Sequence, residues 1–339
     1  MLSSFYKALK ISFFILIIVS CKEAGEREKQ SEASNEQDTL SINESEDFLF
    51  LTEWFDKVGV YKYEIEKKKY SPVWWHPREN VVMLVYKPGN FPTYFLTANK
   101  IGERTNLPYF NGLKLFIISS DLSETKEIDE LGNGIQFSAR LDEDNNLEVI
   151  YTEVDLTIAS YVNQYTRVYD HYGKLIDSNI RTFDIQKSGF PQITPPQIST
   201  ISPSGNYGVS FRGDSVYLKS TNIDSLKFIS VLKLRLNKIK WSIEEKFLLI
   251  STIDLENETT KTENPETSEL FIYSLSADSV ISRFGGEGVK NFFTINDLLI
   301  FDDGFEYNSV INIFDLNQNK IIDVINPKHG CGLVYIPER

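Results

Sequence analysis

Cysteine is almost missing from this 339-residue chain, which contains only Cys21 and Cys331. Small exported domains commonly rely on several disulfide bridges, and two cysteines cannot supply such a framework. The fold must therefore be held together by a hydrophobic core. Cys331 has no neighbouring base in the sequence, so we expect a small buried residue rather than a reactive thiol.

Histidine and the common catalytic motifs are also scarce. The three histidines, His76, His171 and His329, have no partner at metal-ligand spacing. The sequence has no His-Glu-x-x-His run, no Gly-x-Ser-x-Gly elbow, no Walker loop and no Gly-x-Gly-x-x-Gly before a helix. We therefore expect neither a metal nor a cofactor, and no catalytic residue can be assigned.

Positive charge is in deficit, with 35 Lys and Arg against 48 Asp and Glu and a net charge of −13. Loss of residues 1–20 would remove Lys7 and Lys10 and leave 33 basic against 48 acidic side chains, or −15. The one basic run, Lys67-Lys68-Lys69, is best explained as a solvated hairpin turn. Nucleic acid is not an expected partner, because its phosphates need clustered Lys and Arg.

The longest apolar run lies near the N-terminus and is too short to cross a bilayer, which takes roughly 20 apolar residues. Lys7 and Lys10 precede this run, Ile11 to Val19, as in a secretory signal peptide covering residues 1–20. Ile18-Val19-Ser20-Cys21 resembles a bacterial lipobox. The resemblance implies that Cys21 becomes the first residue and carries lipid that attaches the protein to a membrane. An ordinary secretory cleavage or an uncleaved anchor is the alternative.

Residues 21–47 are expected to form a disordered tether behind the lipid. Lys22 to Asp47 has nine acidic and three basic residues and no aromatic side chain. Such a composition cannot bury enough apolar surface to offset the entropy of ordering. Lys22-Glu23 also resembles the acidic export signal of Bacteroidota-type lipoproteins, which implies an outer-membrane lipoprotein exposed at the cell surface.

The rest of the chain, residues 48–339, has the pattern of repeated β-hairpins. In Ile201 to Leu218, Ser202-Pro203-Ser204-Gly205 fits a type I turn, and apolar residues then alternate as in a strand with one buried face. Looser copies give six hairpins, anchored at positions 61, 116, 168, 217, 271 and 313, which are 55, 52, 49, 54 and 42 residues apart. Five copies of a turn followed by an apolar strand alternate with these hairpins, beginning at positions 75, 142, 202, 241 and 294.

Units of about 40 to 55 residues with four strands each are typical of β-propeller blades, which bury both faces against neighbouring blades. We therefore predict an all-β, six-bladed propeller whose last blade is closed by N- and C-terminal strands, the latter at Gly332 to Ile336. Ser-Pro or Trp-Ser turns before apolar strands, followed by Leu-Phe-Ile-Tyr, resemble the repeat of TolB-like six-bladed propellers and of propeller lipoproteins of Bacteroidota. A pair of β-sandwiches is the alternative fold.

Candidate binding residues come from aromatic and acidic positions near strand ends. Adjacent tryptophans could stack on a sugar, although alternation along a strand predicts that one of them packs in the core. The segments Tyr86 to Asn111 and Thr252 to Ser268 are expected to be the longest loops, and the first, rich in aromatics, is expected to cap the central channel. Acidic residues at strand–turn junctions could face a ligand or simply form tight turns. The candidates are Trp74, Trp75, Tyr94, Tyr109, Asp142, Asp302 and Asp303.

Two classes of function are compatible with these features. The favoured one is a non-catalytic envelope lipoprotein that holds a protein, peptide or glycan partner on the propeller. The alternative is an envelope glycan hydrolase or lyase with paired carboxylates at the channel. Convergence of several Asp or Glu side chains at the channel mouth would distinguish the two.

Replacing Cys21 with Ala should abolish lipid attachment, because alanine has no thiol to acylate. We expect the protein to leave the membrane fraction and its N-terminal peptide to lose the mass of the lipid. Fractionation combined with mass spectrometry of that peptide measures both effects. Unchanged membrane attachment of Cys21→Ala would show that another segment anchors the chain.

Overall fold

The computed structural model describes residues 47–53, 59–77, 79–86, 92–104, 107–142, 144–154, 161–188, 191, 200–221, 226–242, 244–254, 267–288, 290–304, 309–326 and 331–333. The predictions for the signal peptide, Cys21 and nearly all of the tether lie outside these residues. Within them, no helix has the length and apolar character needed to cross a membrane.

The described residues form six antiparallel sheets, which we number in chain order. Sheet 1 contains β1 (Phe48–Glu53), β2 (Gly59–Glu64), β3 (Lys69–Trp75) and the C-terminal β24 (Cys331–Leu333). Sheet 2 contains β4 (Asn80–Val85), β5 (Thr93–Ala98), β6 (Lys100–Arg104), β7 (Leu107–Ile118) and β8 (Thr125–Gly134). Sheet 3 contains β9 (Gln136–Leu141), β10 (Leu147–Val154), β11 (Tyr161–Tyr169) and β12 (Leu175–Asp184), after which comes the short helix α1 (Ile185–Ser188).

The other three sheets follow in the same way. Sheet 4 contains β13 (Tyr207–Arg212), β14 (Ser215–Ser220) and β15 (Leu226–Val231). Sheet 5 contains β16 (Arg235–Trp241), β17 (Phe247–Ile253), β18 (Thr267–Ser274) and β19 (Ser279–Glu287). Sheet 6 contains β20 (Phe292–Ile295), β21 (Leu298–Asp303), β22 (Val310–Asp315) and β23 (Lys320–Ile325). Six small sheets do not fit the two sheet pairs that a pair of β-sandwiches would need.

All six predicted hairpins are present, one in each sheet: β2–β3, β7–β8, β11–β12, β14–β15, β18–β19 and β22–β23. The pairing of the terminal strands is also confirmed, because Leu51 lies opposite Leu333 and Glu53 opposite Cys331. This pairing closes the edge of β1, which would otherwise expose unpaired backbone groups.

Two expectations about the chain between hairpins are wrong. The aromatic segment from Tyr86 to Asn111 is not one loop, because β5, β6 and the start of β7 build a long hairpin there. The turn that starts at Trp75 is not equivalent to those at 142, 241 and 294. It leads into β4, the first strand of sheet 2, whereas those three lead into the second strand of their sheets.

Aspartates shape several of the turns. Asp142 Oδ1 accepts hydrogen bonds from the backbone N–H of Asp144 (2.9 Å) and Asn146 (2.8 Å), and Asp170 Oδ1 does the same for Tyr172 and Lys174 (both 2.9 Å). The backbone donors, chiefly Lys174 N–H, lower the pKa of Asp170. These side-chain bonds stabilise the two turns locally.

A β-bulge recurs at the same place in all six hairpins. An aliphatic residue is followed by an aromatic one on the first strand, and the second strand carries one extra residue opposite them. The aromatic residues are Tyr61, Phe116, Tyr169, Tyr217, Tyr273 and Phe314. The extra residues are all β-branched aliphatics: Val73, Ile128, Ile176, Ile229, Ile281 and Ile322. The six hairpins are therefore copies of one structural unit.

Five buried hydrophobic clusters join the sheets in pairs. They connect sheet 1 with 2, 2 with 3, 4 with 5, 5 with 6 and 6 with 1. Each of these junctions also has a hydrogen bond between sheets: Leu49 N to Tyr86 Oη, Arg167 to Asp129, Ser204 to Glu245, Ser282 to Asn319 and Tyr63 to Asp323. Among the described residues no buried cluster joins sheet 3 to sheet 4, so these two sheets are the ends of the series.

Truncation of a junction residue should destabilise the protein far more than truncation of an end-sheet residue. Phe271 is fully buried between sheets 4 and 5, whereas Phe228 on sheet 4 is 53% exposed. We expect Phe271→Ala to lower the free energy of unfolding by about 3 to 5 kcal/mol, because it leaves a cavity. Phe228→Ala should change it by less than about 1 kcal/mol. Urea unfolding of both variants measures the difference, and equal losses would refute the assignment of the junction.

Candidate functional site

The extra residue of each bulge shows which sheet faces are covered. In five sheets it packs into the cluster shared with the next sheet: Val73, Ile128, Ile229, Ile281 and Ile322. The sixth, Ile176 on sheet 3, belongs to none of the clusters and is 52% exposed. The face of sheet 3 that points away from sheet 2 is thus uncovered at the place where the other sheets are covered.

The aromatic residue of each bulge shows in the same way whether the other face of its sheet, which points toward the preceding sheet, is covered. Tyr61, Phe116, Tyr169, Tyr273 and Phe314 pack against the preceding sheet. Tyr217 on sheet 4 belongs to none of the five clusters. Its ring contacts Phe228 edge-on at 5.8 Å between centroids, and the Arg212 guanidinium lies 5.5 Å from its centroid.

Exposed large apolar side chains concentrate on these two end sheets. Of the thirteen among the described residues, nine lie between positions 161 and 231: Tyr161, Tyr172, Leu175, Ile176, Ile180, Ile201, Leu226, Phe228 and Val231. On β12, eight consecutive residues from Leu175 to Thr182 are exposed, so neither face of this strand is covered there. An exposed apolar surface of this kind is typical of an interaction site.

We define the end faces by their residues. Alternation along the strands shows which side chains lie on each face. Those on the sheet 3 end face are Ile150, Thr152, Gln164, Val168 and Ile176. Those on the sheet 4 end face are Ser210, Arg212, Tyr217, Lys219 and Phe228. Each face contains one buried hydroxyl without a hydrogen-bond partner, Thr152 Oγ1 and Ser210 Oγ. Buried polar groups normally have a partner, so these two hydroxyls are exceptions to that rule.

A second polar site lies where sheet 5 meets sheet 6. The Lys290 side chain is 0% exposed, and its ammonium pairs with Asp303 at the end of β21 and donates to the carbonyl of Glu287 at 2.9 Å. Lys238 of β16, also buried, donates to the carbonyl of Phe292 at 2.7 Å and lies 4.6 Å from the centroid of its ring. The structure thus gives these two buried ammonium groups protein partners rather than open positions.

The predicted carboxylates Asp302 and Asp303 do not converge on one point. They are adjacent on β21 and therefore point to opposite faces. Asp302 Oδ1 accepts from the backbone N–H of Asn291 at 2.6 Å and its Oδ2 accepts from the Asn291 amide at 3.0 Å, while Asp303 pairs with Lys290. Both side chains hold the segment before β20 against β21.

The tryptophan pair divides as alternation predicts. Trp74 packs between sheets 1 and 2 against Phe95 and Phe116, with ring centroids 4.7 and 5.5 Å apart. Trp75 is 47% exposed. Of the two, Trp75 has the surface that stacking on a ligand would need.

The other three candidates lie far apart in the fold. Tyr94 is 0% exposed; burial raises the pKa of its phenol, which donates to the carbonyl of Asp170 at 2.8 Å, so its ring is not open to a ligand. Tyr109 lies in β7 opposite Gly102 of β6. Asp142 organises the exposed β9–β10 turn. The structure therefore does not bring the seven candidates together into one site.

Sequence reasoning missed the end faces. Ile176, Tyr217 and Phe228 carry no motif, and the first two occupy positions that pack against a neighbouring sheet elsewhere in the repeat. The recurring aliphatic–aromatic pair could have been found by aligning the six hairpins. The neighbouring sheets decide which copy of this pair stays uncovered, and the sequence of the strand itself contains no signal for it. Among the residues that the structure describes, no group of three or more His, Cys, Asp or Glu could hold a metal ion.

Comparison with known proteins adds only distant likenesses. No protein-family model matches the sequence, and no curated protein matches it either. Solved structures of similar shape include TolB from Acinetobacter baumannii, with 8% identity and a TM-score of 0.44 over 86% of this chain and 67% of TolB. A chain of a nidogen/laminin complex has 13% identity and a TM-score of 0.41, covering 85% and 96%. AztD from Citrobacter koseri has 12% identity and a TM-score of 0.36, covering 86% and 97%. The all-β assignment rests on the chain's own sheets.

Replacing one partner of the buried Lys290–Asp303 ion pair should lower the stability of the protein more than replacing the other. Asp303→Ala leaves a fully buried ammonium without its carboxylate and should lower the free energy of unfolding by about 2 to 3 kcal/mol. Lys290→Met removes the buried charge, and the remaining carboxylate, 36% exposed, can be hydrated. We expect this variant to lose less than about 1 kcal/mol. Urea denaturation of both proteins tests the order, and a greater loss for Lys290→Met would contradict it.

Proposed function

We propose that this protein is a non-catalytic binding protein of the cell envelope. In this proposal the six sheets are the blades of a β-propeller, and the end faces of sheets 3 and 4 lie on either side of a groove that receives a partner protein. Lipid on Cys21 attaches the protein to the outer membrane.

The exposure of one repeated contact carries the proposal. The same aliphatic and aromatic positions are covered by a neighbouring sheet at five junctions but uncovered on the two end faces. Burying a side chain such as Ile or Phe contributes about 1.5 to 3 kcal/mol. A partner that covers Ile176 and Tyr217 would gain the contacts that the sheets provide for each other elsewhere, and it would also bury the exposed ring of Phe228.

The hydrolase or lyase alternative has less support. Cleavage of a glycosidic bond needs two carboxyl groups on either side of that bond. Asp302 and Asp303 point to opposite faces of one strand and are bonded to Asn291 and Lys290. Asp142 is bonded within its own turn. These bonds give the three carboxylates structural tasks, which supports binding over catalysis.

Site-specific photo-crosslinking in intact cells tests the proposed function. A photoreactive phenylalanine analogue replaces Phe228 on the sheet 4 end face or Ile176 on the sheet 3 end face. Matched controls carry it at Ile321 or Val324 of sheet 6, which are 44% and 47% exposed. We expect the same defined protein to be linked from positions 176 and 228 and not from the control positions.

Two results would refute the proposal. Equal labelling from all four positions would show that the end faces are not a specific surface. Release of sugar fragments from envelope glycans by the purified protein, with loss of that activity in Asp302→Asn or Asp303→Asn, would replace binding by catalysis.

A further inference from the structure

We infer that the segment bound at the end faces is an extended, acidic stretch of the partner protein with apolar side chains at alternate positions. This inference rests on the proposed function and adds the chemistry of the ligand. It follows from three features of the sheet 4 end face: its charge, the pairing of its basic groups and the spacing of its side chains.

Sheet 4 and its surroundings are the basic part of an acidic protein. Residues 200–234 contain four Lys and Arg and two Asp, a net charge of +2. The whole chain has a net charge of −13, so the other residues together carry −15. Complementary charge favours association and suppresses wrong partners, so this region favours an acidic ligand.

The basic groups on the sheet 4 end face are available to a ligand. Arg212 and Lys219 are both exposed and form no ion pair with a described carboxylate. Other basic side chains of the fold are paired, as Lys227 is with Asp278 on sheet 5, Arg283 with Glu269, and Arg167 with Asp129. Arg212 instead stacks over Tyr217, so it presents a charge next to an aromatic ring.

The spacing of the end-face residues suits an extended ligand. Tyr217 and Lys219 are two positions apart on β14, as are Leu226 and Phe228 on β15, which are directly opposite them in register. Side chains at this separation on a strand repeat about every 6.6 Å, the same period as in an extended peptide.

A protein segment explains these features better than an anionic membrane does. A lipid surface would contact exposed charges and apolar side chains, but it has no fixed period to match the two-residue spacing on β14 and β15. A membrane is nevertheless a separate outcome of the test.

Selection from a random peptide library with the full lipidated protein, purified in detergent, tests the inference. The test variant is Arg212→Glu/Lys219→Glu. The control variant Lys126→Glu/Lys320→Glu makes the same change in net charge at exposed lysines of sheets 2 and 6. We expect the selected peptides to carry Asp or Glu alternating with apolar residues. They should bind the test variant about tenfold more weakly than the control variant, and added salt should weaken the binding to the unmodified protein.

The outcomes separate the inference from the proposed function. Selected peptides that are neutral or basic, or that bind both variants equally, would overturn the inference, as would failure to select any peptide. Binding of phosphatidylglycerol vesicles that is lost in the test variant alone would replace the peptide by a membrane. If crosslinking from positions 176 and 228 still captures one protein in any of these cases, the proposed function stands and only the ligand chemistry is wrong. Without such an adduct, both fail.

Discussion

Burial of apolar side chains between neighbouring sheets is the interaction on which the rest of this structure depends. A small antiparallel sheet cannot cover its own faces, so it must pack against its neighbours. At five junctions the hairpin bulges supply the contact: a β-branched residue packs against the following sheet and an aromatic residue against the preceding one. The pairing of β24 with β1 brings the two ends of the described chain into sheet 1.

The exposed faces of sheets 3 and 4 follow from the same need for apolar burial between neighbouring sheets. Five junctions contain the repeated contact and a hydrogen bond between sheets, and no buried cluster of described residues joins sheets 3 and 4. The end faces therefore keep side chains, such as Ile176 and Tyr217, whose equivalents in the other sheets form the junctions. In the proposed function a partner protein uses this chemistry, so no further motif is needed for binding.

Much of the fold could be predicted from the sequence because it is set by local patterns. The six hairpins, the turn at Ser202 to Gly205 and the split between Trp74 and Trp75 follow from turn chemistry and from alternation along strands. The pairing of the terminal strands follows from the need to close a sheet edge. The long hairpin of β5, β6 and β7 was missed because its many aromatic residues suggested a binding loop.

The candidate site was harder to predict because exposure depends on which sheets meet. Tyr94 and Tyr217 are similar residues in similar strands, yet one is buried under the turn at Asp170 and the other lies on an end face. Asp302 and Asp303 were correctly placed at a strand end, but their partners Asn291 and Lys290 come from a connection whose path the sequence does not show. The chemical type of each candidate side chain could be taken from the sequence, whereas the residues that pack around it in the fold could not.

Hydroxyl-radical footprinting of the free, full-length protein tests the central claim most directly, since it measures the solvent access of individual side chains. The account predicts rapid oxidation of Ile176 and Phe228 and protection of Phe271, Ile272 and Phe301, which are buried at the junctions of sheet 5. Protection of Ile176 and Phe228 to the level of Phe271 would show that the chain covers its own end faces. In that case the proposed surface would not exist.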